Sequence, residues 1–221
     1  MTQNRSTAVM ARRHEALDSL DDFPTQPWGT RALCEHVDPW LLCGLKEKSV
    51  WEPAANRGYM ARPLAEYFGE VIATDCHDYG VGYPVHDFLM PYLPEVLGGR
   101  RPDWIITNPP FVYAQQFVER GLQVATEGVA VLVRTAWLEG IERYERLFSQ
   151  PHKPARVAQF VERLPLVRGR VDPGCSTATA YMWFVFTAAP CGHETLMGWI
   201  PPCRKRLERA GDYDRVGEVV A

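Results

Sequence analysis

The chain has 221 residues, 46% of them hydrophobic, which is enough to build one sizeable core. Its net charge of −3 argues against a globally basic nucleic-acid-binding protein, although a local basic face is not excluded. No apolar run approaches the roughly 20 residues of a membrane span, so we expect no membrane partner.

The cysteines indicate a reducing compartment. The six of them include no CxxC pair and no tight disulfide framework. The N-terminus carries arginines without an apolar segment, so it is not a secretory signal. We therefore expect free thiols and a cytoplasmic location. A zinc site from Cys175, Cys191, His193 and Cys203 is an alternative, but the spacing fits no common finger and we expect no metal.

The first part of the chain is predicted to form a tail, a loop and a helix. Residues 1–20 are polar and weakly patterned, which indicates a flexible segment. Residues 22–28 contain two prolines and two aromatic residues, and residues 30–37 have helical spacing with Thr30 as a candidate N-cap. The loop either packs its aromatic side chains on the core or covers a ligand.

A strand, a tight turn and a helix follow. Residues 49–52 end an apolar strand, the turn runs to Gly58, and residues 60–68 have a helical pattern. This is half of a nucleotide-binding βαβ unit, although Asn56 stands where a second glycine would be expected. Asn56 tolerates positive φ fairly well. The next apolar run ends in Asp75, where such folds accept hydrogen bonds from ribose hydroxyls.

Five further runs rich in apolar or β-branched residues predict the remaining strands, at 85–89, 103–107, 128–133, 156–161 and 180–186. Amphipathic patterns predict helices between them, at 113–126 and 137–148. The alternation of strands and helices indicates an α/β fold.

Asp87 and Phe88 lie in the third of these predicted strands. An acid beside an aromatic residue at this point can hydrogen-bond an adenine amine and flank its ring. The alternative is a solvent-facing acid with no ligand.

The most informative turn follows the run at 103–107 and reads Asn108-Pro109-Pro110-Phe111. Two prolines fix φ near −65° and remove two N–H donors, which gives a rigid turn. Asn108 and the Pro109 carbonyl can accept hydrogen bonds from an exocyclic amine, and Phe111 can stack on the ring that carries it. A tight turn with a packed aromatic side chain is the structural alternative.

One segment is basic within this acidic chain. From 151 to 170 there are five Lys or Arg residues against Glu162, a local net charge of 5 − 1 = +4. Arg163, Arg168 and Arg170 lie on a long loop that we expect near a ligand cleft, where they are candidates for contacting nucleic-acid phosphates. A solvated charged face is the alternative.

Together these residues resemble the amino-group DNA methyltransferases that use S-adenosylmethionine, particularly the small adenine-N6 enzymes of phages and prophages. The likeness runs from about Phe23 to Phe186, in the motif order of the family's gamma group. It implies a class I methyltransferase, Rossmann-like α/β fold with a central seven-stranded, mostly parallel sheet flanked by helices. That domain would span 21–190, with a tail, 191–221, packed on it.

The resemblance also implies roles for the motifs. The catalytic residues would be Asn108, Pro109, Pro110 and Phe111. The S-adenosylmethionine-binding residues would come from the N-terminal loop, where Gln26 interrupts the family's Thr-Pro, from the first turn and from the next two strand ends: Phe23, Thr25, Glu52, Pro53, Ala54, Asn56, Gly58, Asp75, Asp87 and Phe88. The implied partner is DNA.

Other readings stay open. Asn-Pro-Pro-(Phe/Tyr) also serves methyltransferases acting on RNA, on cytosine N4 and on glutamine amides, because it selects a planar nitrogen rather than a polymer. A non-catalytic module that binds the cofactor or a protein is a further alternative. A nicotinamide dehydrogenase is disfavoured, since the GxGxxG glycines are missing. The recognition sequence and oligomeric state do not follow from the sequence.

Overall fold

The computed structural model describes residues 21–37 and 43–214. The predicted flexible segment 1–20 and the last part of the predicted tail, 215–221, lie outside the described residues. The domain boundaries therefore stay predictions.

A seven-stranded sheet forms the centre of the molecule. Its strands are β1 Ser49–Glu52, β2 Glu70–Ala73, β3 Trp104–Thr107, β4 Gly128–Arg134, β5 Arg156–Phe160, β6 Tyr181–Thr187 and β7 Leu196–Ile200. The spatial order is β2-β1-β3-β4-β6-β5-β7. The first four are mutually parallel, β6 is antiparallel to both its neighbours, and β7 is parallel to β5. The predicted seven-stranded, mostly parallel sheet is confirmed.

Short helices cover both faces of the sheet. They are α1 Pro27–His36, α2 Ala61–Leu64, α3 Ala114–Val124, α4 Ile141–Arg143 and α5 Arg204–Leu207. In the ranges that the structure describes, no helix is long and apolar enough to cross a membrane.

The core has two layers because side chains alternate along each strand. In β4, Val129, Val131 and Val133 pack with α3 on one face. Ala130 and Leu132 point to the other face, where α1, α2 and α5 pack. All five side chains are buried, as the continuous apolar run predicts for a central strand.

Two sequence-based strand assignments are corrected. The predicted strand at 85–89 is wrong, because this segment joins the sheet only through an isolated bridge between Asp75 and Val85. The seventh strand is instead β7, within the segment predicted as a tail. Met197 and Trp199 are exposed there because β7 lies at the edge of the sheet.

Two helix assignments also differ from prediction. Helix α1 begins at Pro27 with Gln26 as its N-cap, and the predicted cap Thr30 is buried inside it. Proline suits the first helical position because its missing N–H has no intrahelical partner there. The predicted helix at 137–148 is broken into a 3-10 turn, α4 and a π turn, with Gly140 at the break.

A buried arginine in α1 links the C-terminal segment to the helices that pack on one face of the sheet. The Arg31 guanidinium in α1 donates two 2.7 Å hydrogen bonds to the Asp212 carboxylate and two more, of 2.7 and 2.8 Å, to Glu66. Arg31 and Asp212 are both buried. A buried charge is tolerated only when paired, so removal of either partner is expensive.

We expect Asp212→Ala to lower the free energy of unfolding by about 2 kcal/mol, because Arg31 stays buried with only part of its hydrogen bonding satisfied. Urea unfolding measures this loss. The exposed Asp214→Ala is the matched control and should change stability by less than about 0.5 kcal/mol. Equal stability of the two variants would contradict the assigned role of Asp212.

Candidate functional site

The carboxyl ends of β1, β2 and β3 border a cavity of about 330 Å³. In an open α/β sheet this is where ligands bind. Eleven residues that the sequence singles out line it: Phe23, Thr25, Glu52, Pro53, Ala54, Asn56, Asp75, Asp87, Phe88, Asn108 and Pro110. The motifs are far apart in sequence, so their convergence on one cavity supports a shared role.

The turn after β1 has the strained geometry that its sequence suggests. Asn56 has φ of +52° and Gly58 of +81°, which confirms that Asn56 accommodates positive φ here. A Cβ at Gly58 would lie 2.3 Å from the Tyr83 hydroxyl, so the position requires glycine. Gly58 does not line the cavity, and its role is to shape the turn.

Asp75 is held rigidly at the end of β2. Its carboxylate accepts backbone hydrogen bonds from Asn56 at 2.8 Å and from His77 at 2.9 Å. The side chain is only 8% exposed, and this burial raises the pKa of Asp75 above its ordinary value. The Cys76 thiol also interacts with this carboxylate, which still has lone-pair capacity for a donor in the cavity.

Glu52 is the least compensated charge in the cavity. It is 2% exposed, and none of the described residues donates a hydrogen bond to its Oε2. Burial, with a smaller contribution from the Asp75 charge, raises the pKa of Glu52 well above its ordinary value. Such a carboxyl is stabilised either by a proton or by a cationic group that enters the cavity.

Asn108 presents an acceptor to the same space. Its side-chain Nδ2 donates a 2.8 Å hydrogen bond to the Phe23 carbonyl oxygen. This bond fixes the orientation of the amide, because the opposite orientation would bring two oxygens together. Asn108 Oδ1 is buried without a hydrogen-bond partner among the described residues, so it is available to an N–H donor.

The N-terminal segment Asp21–Thr25 joins the two halves of the site. The Asp21 carboxylate accepts a 2.6 Å hydrogen bond from the backbone N–H of Phe111. Asp22 accepts a 2.6 Å bond from Asn56 Nδ2 and pairs with Arg57 at 3.1 Å. The segment therefore lines the cavity and ties the first turn to the Asn-Pro-Pro-Phe turn.

The Phe111 ring lies outside the cavity lining. It packs against Phe23, with ring centroids 5.8 Å apart, and stacks on Tyr181 at 6.2 Å. The Arg134 guanidinium lies over the ring, 4.3 Å from its centroid. Ring surface that the sequence assigns to an acceptor base is therefore covered by a side chain in this state.

Asp87 and Phe88 differ from each other in environment. Asp87 is exposed, and its Oδ1 accepts a 2.9 Å hydrogen bond from the Leu89 backbone. Phe88 is buried between Trp51, at 5.0 Å between ring centroids, and Phe117, at 4.8 Å. Both residues border the cavity although they do not belong to a strand.

Several lining residues were not predicted. They include two aromatic side chains, Tyr79 on the loop after β2 and Tyr113 at the end of the 3-10 turn after β3. Neither lies in a recognisable motif, so only their place after strand ends could have indicated them. Pro109, like Gly58 and Phe111, does not line the cavity.

The predicted phosphate-contacting arginines are exposed on the loop after β5. Arg163 donates to the Ala178 carbonyl at 2.7 Å, and Arg170 pairs with Asp172 at 3.1 Å. The basic segment is split by the fold, because Lys153 lies before β5 and the three arginines lie after it, at the other end of the strand; Lys153 pairs with Glu194. The role of Arg163, Arg168 and Arg170 stays a prediction.

The residues of the alternative zinc site do not form a set of metal ligands in the described part of the chain. Cys191 and His193 are close, with Sγ and Nδ1 3.7 Å apart. No group of three or more His, Cys, Asp or Glu side chains in the described part of the chain is arranged to hold a metal ion.

Neither a protein-family model nor a curated protein matches this sequence. Solved structures do match. A candidate RNA methyltransferase from Pyrococcus horikoshii has a TM-score of 0.53 at 15% identity, over 75% of this chain and 84% of that one. A type I restriction-modification methyltransferase subunit from Streptococcus thermophilus has a TM-score of 0.54 at 8% identity, over 80% of this chain but 46% of that one.

A third match is the magnesium protoporphyrin IX methyltransferase of Synechocystis with bound S-adenosylmethionine. It has a TM-score of 0.50 at 12% identity, over 74% of this chain and 79% of that one. At these identities the likeness concerns the fold. The chain has the Rossmann-like fold of the class I S-adenosylmethionine-dependent methyltransferases.

The buried Glu52 generates a pH-dependent prediction. Because its folded-state pKa is raised, the stability that it contributes is present at low pH and is lost as pH rises toward that pKa. We therefore expect the unfolding free energy of Glu52→Gln, compared with that of wild type at the same pH, to increase as the pH rises above about 4.3. The increase should be at most about 1.4 kcal/mol per pH unit.

Urea unfolding of the cofactor-free proteins between about pH 5 and pH 8 measures this difference. The exposed Glu95→Gln is the control and should show no such trend. A Glu52→Gln difference that stays constant over the range would show that Glu52 does not titrate as described.

Proposed function

We propose that this protein transfers a methyl group from S-adenosylmethionine to an exocyclic amine of a nucleobase, with N6 of adenine in DNA as the leading candidate. The observation that carries the proposal is Asn108 Oδ1, a buried acceptor without a partner among the described residues, on the Asn-Pro-Pro-Phe turn at the cavity. The fold and the methyltransferases that share it support the proposal.

The cavity suits S-adenosylmethionine in its charges. Glu52 Oε2 is buried without a donor from the described residues, and a cationic ammonium group would supply one. Asp75 keeps lone pairs for ribose hydroxyls, and Phe88 offers apolar surface to an adenine ring. When bound, the cofactor supplies an electrophilic methyl group on its sulfonium.

The Asn-Pro-Pro-Phe turn would bind and orient the amine that accepts the methyl group. An exocyclic amine is a poor nucleophile because its lone pair is delocalised into the ring. Hydrogen bonds from that amine to Asn108 Oδ1 at the cavity, and to the carbonyl of Pro109, which follows Asn108 but does not itself line the cavity, favour a pyramidal nitrogen with a localised lone pair. The two prolines keep these acceptors in place, so the turn contributes mainly orientation and preorganised dipoles.

A nucleobase within a duplex must first leave the stack to reach this turn. The motif resemblance favours DNA, and one fold neighbour is a restriction-modification methyltransferase subunit. RNA is a close alternative, since another neighbour is described as an RNA methyltransferase. The same acceptor geometry would also serve cytosine N4 or a glutamine amide.

Asp75→Ala should weaken S-adenosylmethionine binding at least about tenfold, because it removes a charge-assisted hydrogen-bonding site worth roughly 1.5–3 kcal/mol. Calorimetry with S-adenosylmethionine and with S-adenosylhomocysteine tests this. The exposed Glu95→Ala serves as the control. Wild-type affinity in a folded Asp75→Ala protein would remove Asp75 from the cofactor site.

Asn108→Ala should abolish most methyl transfer while cofactor affinity stays within about twofold, because the lost oxygen is proposed to act on the acceptor amine. The assay supplies labelled S-adenosylmethionine with duplex DNA, single-stranded DNA, RNA or protein, followed by identification of the methylated nucleoside or residue. Unchanged turnover in Asn108→Ala would make the turn purely structural. Wild-type methylation confined to protein would overturn the nucleobase assignment.

A further inference from the structure

Arg134 stands at the junction between the Asn-Pro-Pro-Phe turn and the antiparallel part of the sheet. It is the last residue of β4, at the strand end that borders the cavity side, and it pairs in register with Tyr181 of β6. Its side chain is exposed, and its guanidinium lies over the Phe111 ring. Arg134, Phe111 and Tyr181 thus form one contiguous group of side chains.

The charge of Arg134 is not balanced by an acidic side chain within the described ranges 21–37 and 43–214. Within the described residues it makes no ion pair and no hydrogen bond. Most other exposed arginines have an acidic partner, as in the pairs Arg100–Glu70, Arg146–Glu119, Arg170–Asp172 and Arg206–Glu35. An arginine that keeps all its donors unpaired beside a catalytic turn is available to an anion.

Space for such an anion lies beside Tyr181. A second cavity of about 180 Å³ is lined by residues 159–164, Ala180 and Tyr181. Its lining includes Arg163 and also Glu162, whose carboxylate is already engaged by the backbone N–H groups of Cys203 and Arg204 at 3.1 and 3.0 Å. Tyr181 lines this second cavity and stacks on Phe111, and Phe111 follows Pro110, which lines the first cavity.

The position of Arg134 conflicts with an acceptor ring that stacks on Phe111. A cation over an exposed aromatic face is only weakly held, so it can be displaced by a stacking ring. A displaced guanidinium needs another partner close by, and a planar guanidinium matches the oxygens of a phosphate bidentately.

We propose that Arg134 binds a phosphate adjoining the acceptor nucleotide, and that it leaves the Phe111 ring as the acceptor base takes its place. This inference rests on the proposed function, because it requires a nucleotide acceptor. It assigns the substrate class of the site as a nucleobase with an adjoining phosphodiester. It also assigns Arg134 as an acceptor-binding residue that contributes to the KM for the acceptor.

The test uses the full chain and a single-stranded DNA oligonucleotide with one adenine. A second oligonucleotide carries neutral methylphosphonate linkages on both sides of that adenine. Arg134→Gln removes the charge, and Arg134→Lys keeps the charge without the planar fork. Arg100→Gln is the matched control, since Arg100 is an exposed arginine that precedes β3, at the amino end of the parallel strands rather than at their carboxyl end.

For Arg134→Gln we expect the KM for the normal oligonucleotide to rise about five- to tenfold, with kcat and cofactor affinity little changed. The salt slope of log K should fall by about 0.7, one phosphate contact on a single strand. Arg134→Lys should restore most of that slope. Neutral linkages should weaken wild-type binding by a similar factor and should leave Arg134→Gln unaffected.

The outcomes separate this inference from the proposed function. If wild type methylates the oligonucleotide but Arg134→Gln behaves like Arg100→Gln, the proposed function stands and the role of Arg134 is overturned. Tighter acceptor binding by Arg134→Gln would also overturn it, because Arg134 would then only block the ring. If wild type neither binds nor methylates any nucleic acid, both fail together.

Discussion

The hydrogen bond from Asn108 Nδ2 to the Phe23 carbonyl oxygen joins positions 85 residues apart and determines what the rest of the site can do. It uses the donor half of the amide, so only the acceptor half faces an incoming group. The same N-terminal segment fixes the backbone of Phe111 through Asp21. Under the proposed function, an acceptor aimed in this way needs no reorganisation when an amine arrives, which is the condition for efficient electrostatic catalysis.

The cofactor side of the cavity places two buried acids close together, and no described Lys or Arg side chain forms an ion pair with either of them. Glu52 and Asp75 both have raised pKa values because burial disfavours their charged forms. Such a pair costs stability in the empty protein and gains it when a cationic ligand enters. Perturbed carboxyl groups in a cleft are typical of functional sites, and here they also explain why a positively charged cofactor suits the cavity.

Sequence patterns predicted most of the sheet because its central strands are continuous apolar runs buried on both faces. They failed where burial is partial. Residues 85–89 alternate exposed and buried side chains, with His86 and Phe88 inside, yet make only a single bridge. The edge strand β7 was overlooked because its short segment lies among turn residues. Glu52, Asp75 and Asn108 were predictable as lining residues because they lie at or just after strand ends. The position of Arg134 over the Phe111 ring was not predictable from the sequence, since it depends on how β3 and β4 align.

Gln26 stands where the methyltransferases that the sequence resembles have proline, and its tertiary contacts explain this difference. Where the resemblance leads one to expect proline after Thr25, the buried Gln26 side chain accepts a 2.7 Å hydrogen bond from Trp28 and donates one of 3.0 Å to the Asp172 carbonyl. Proline has no side-chain groups for these bonds. Asp22 also accepts a 2.8 Å bond from the Gly169 backbone. The segment that lines the cavity is thus anchored to the loop carrying Arg168 and Arg170.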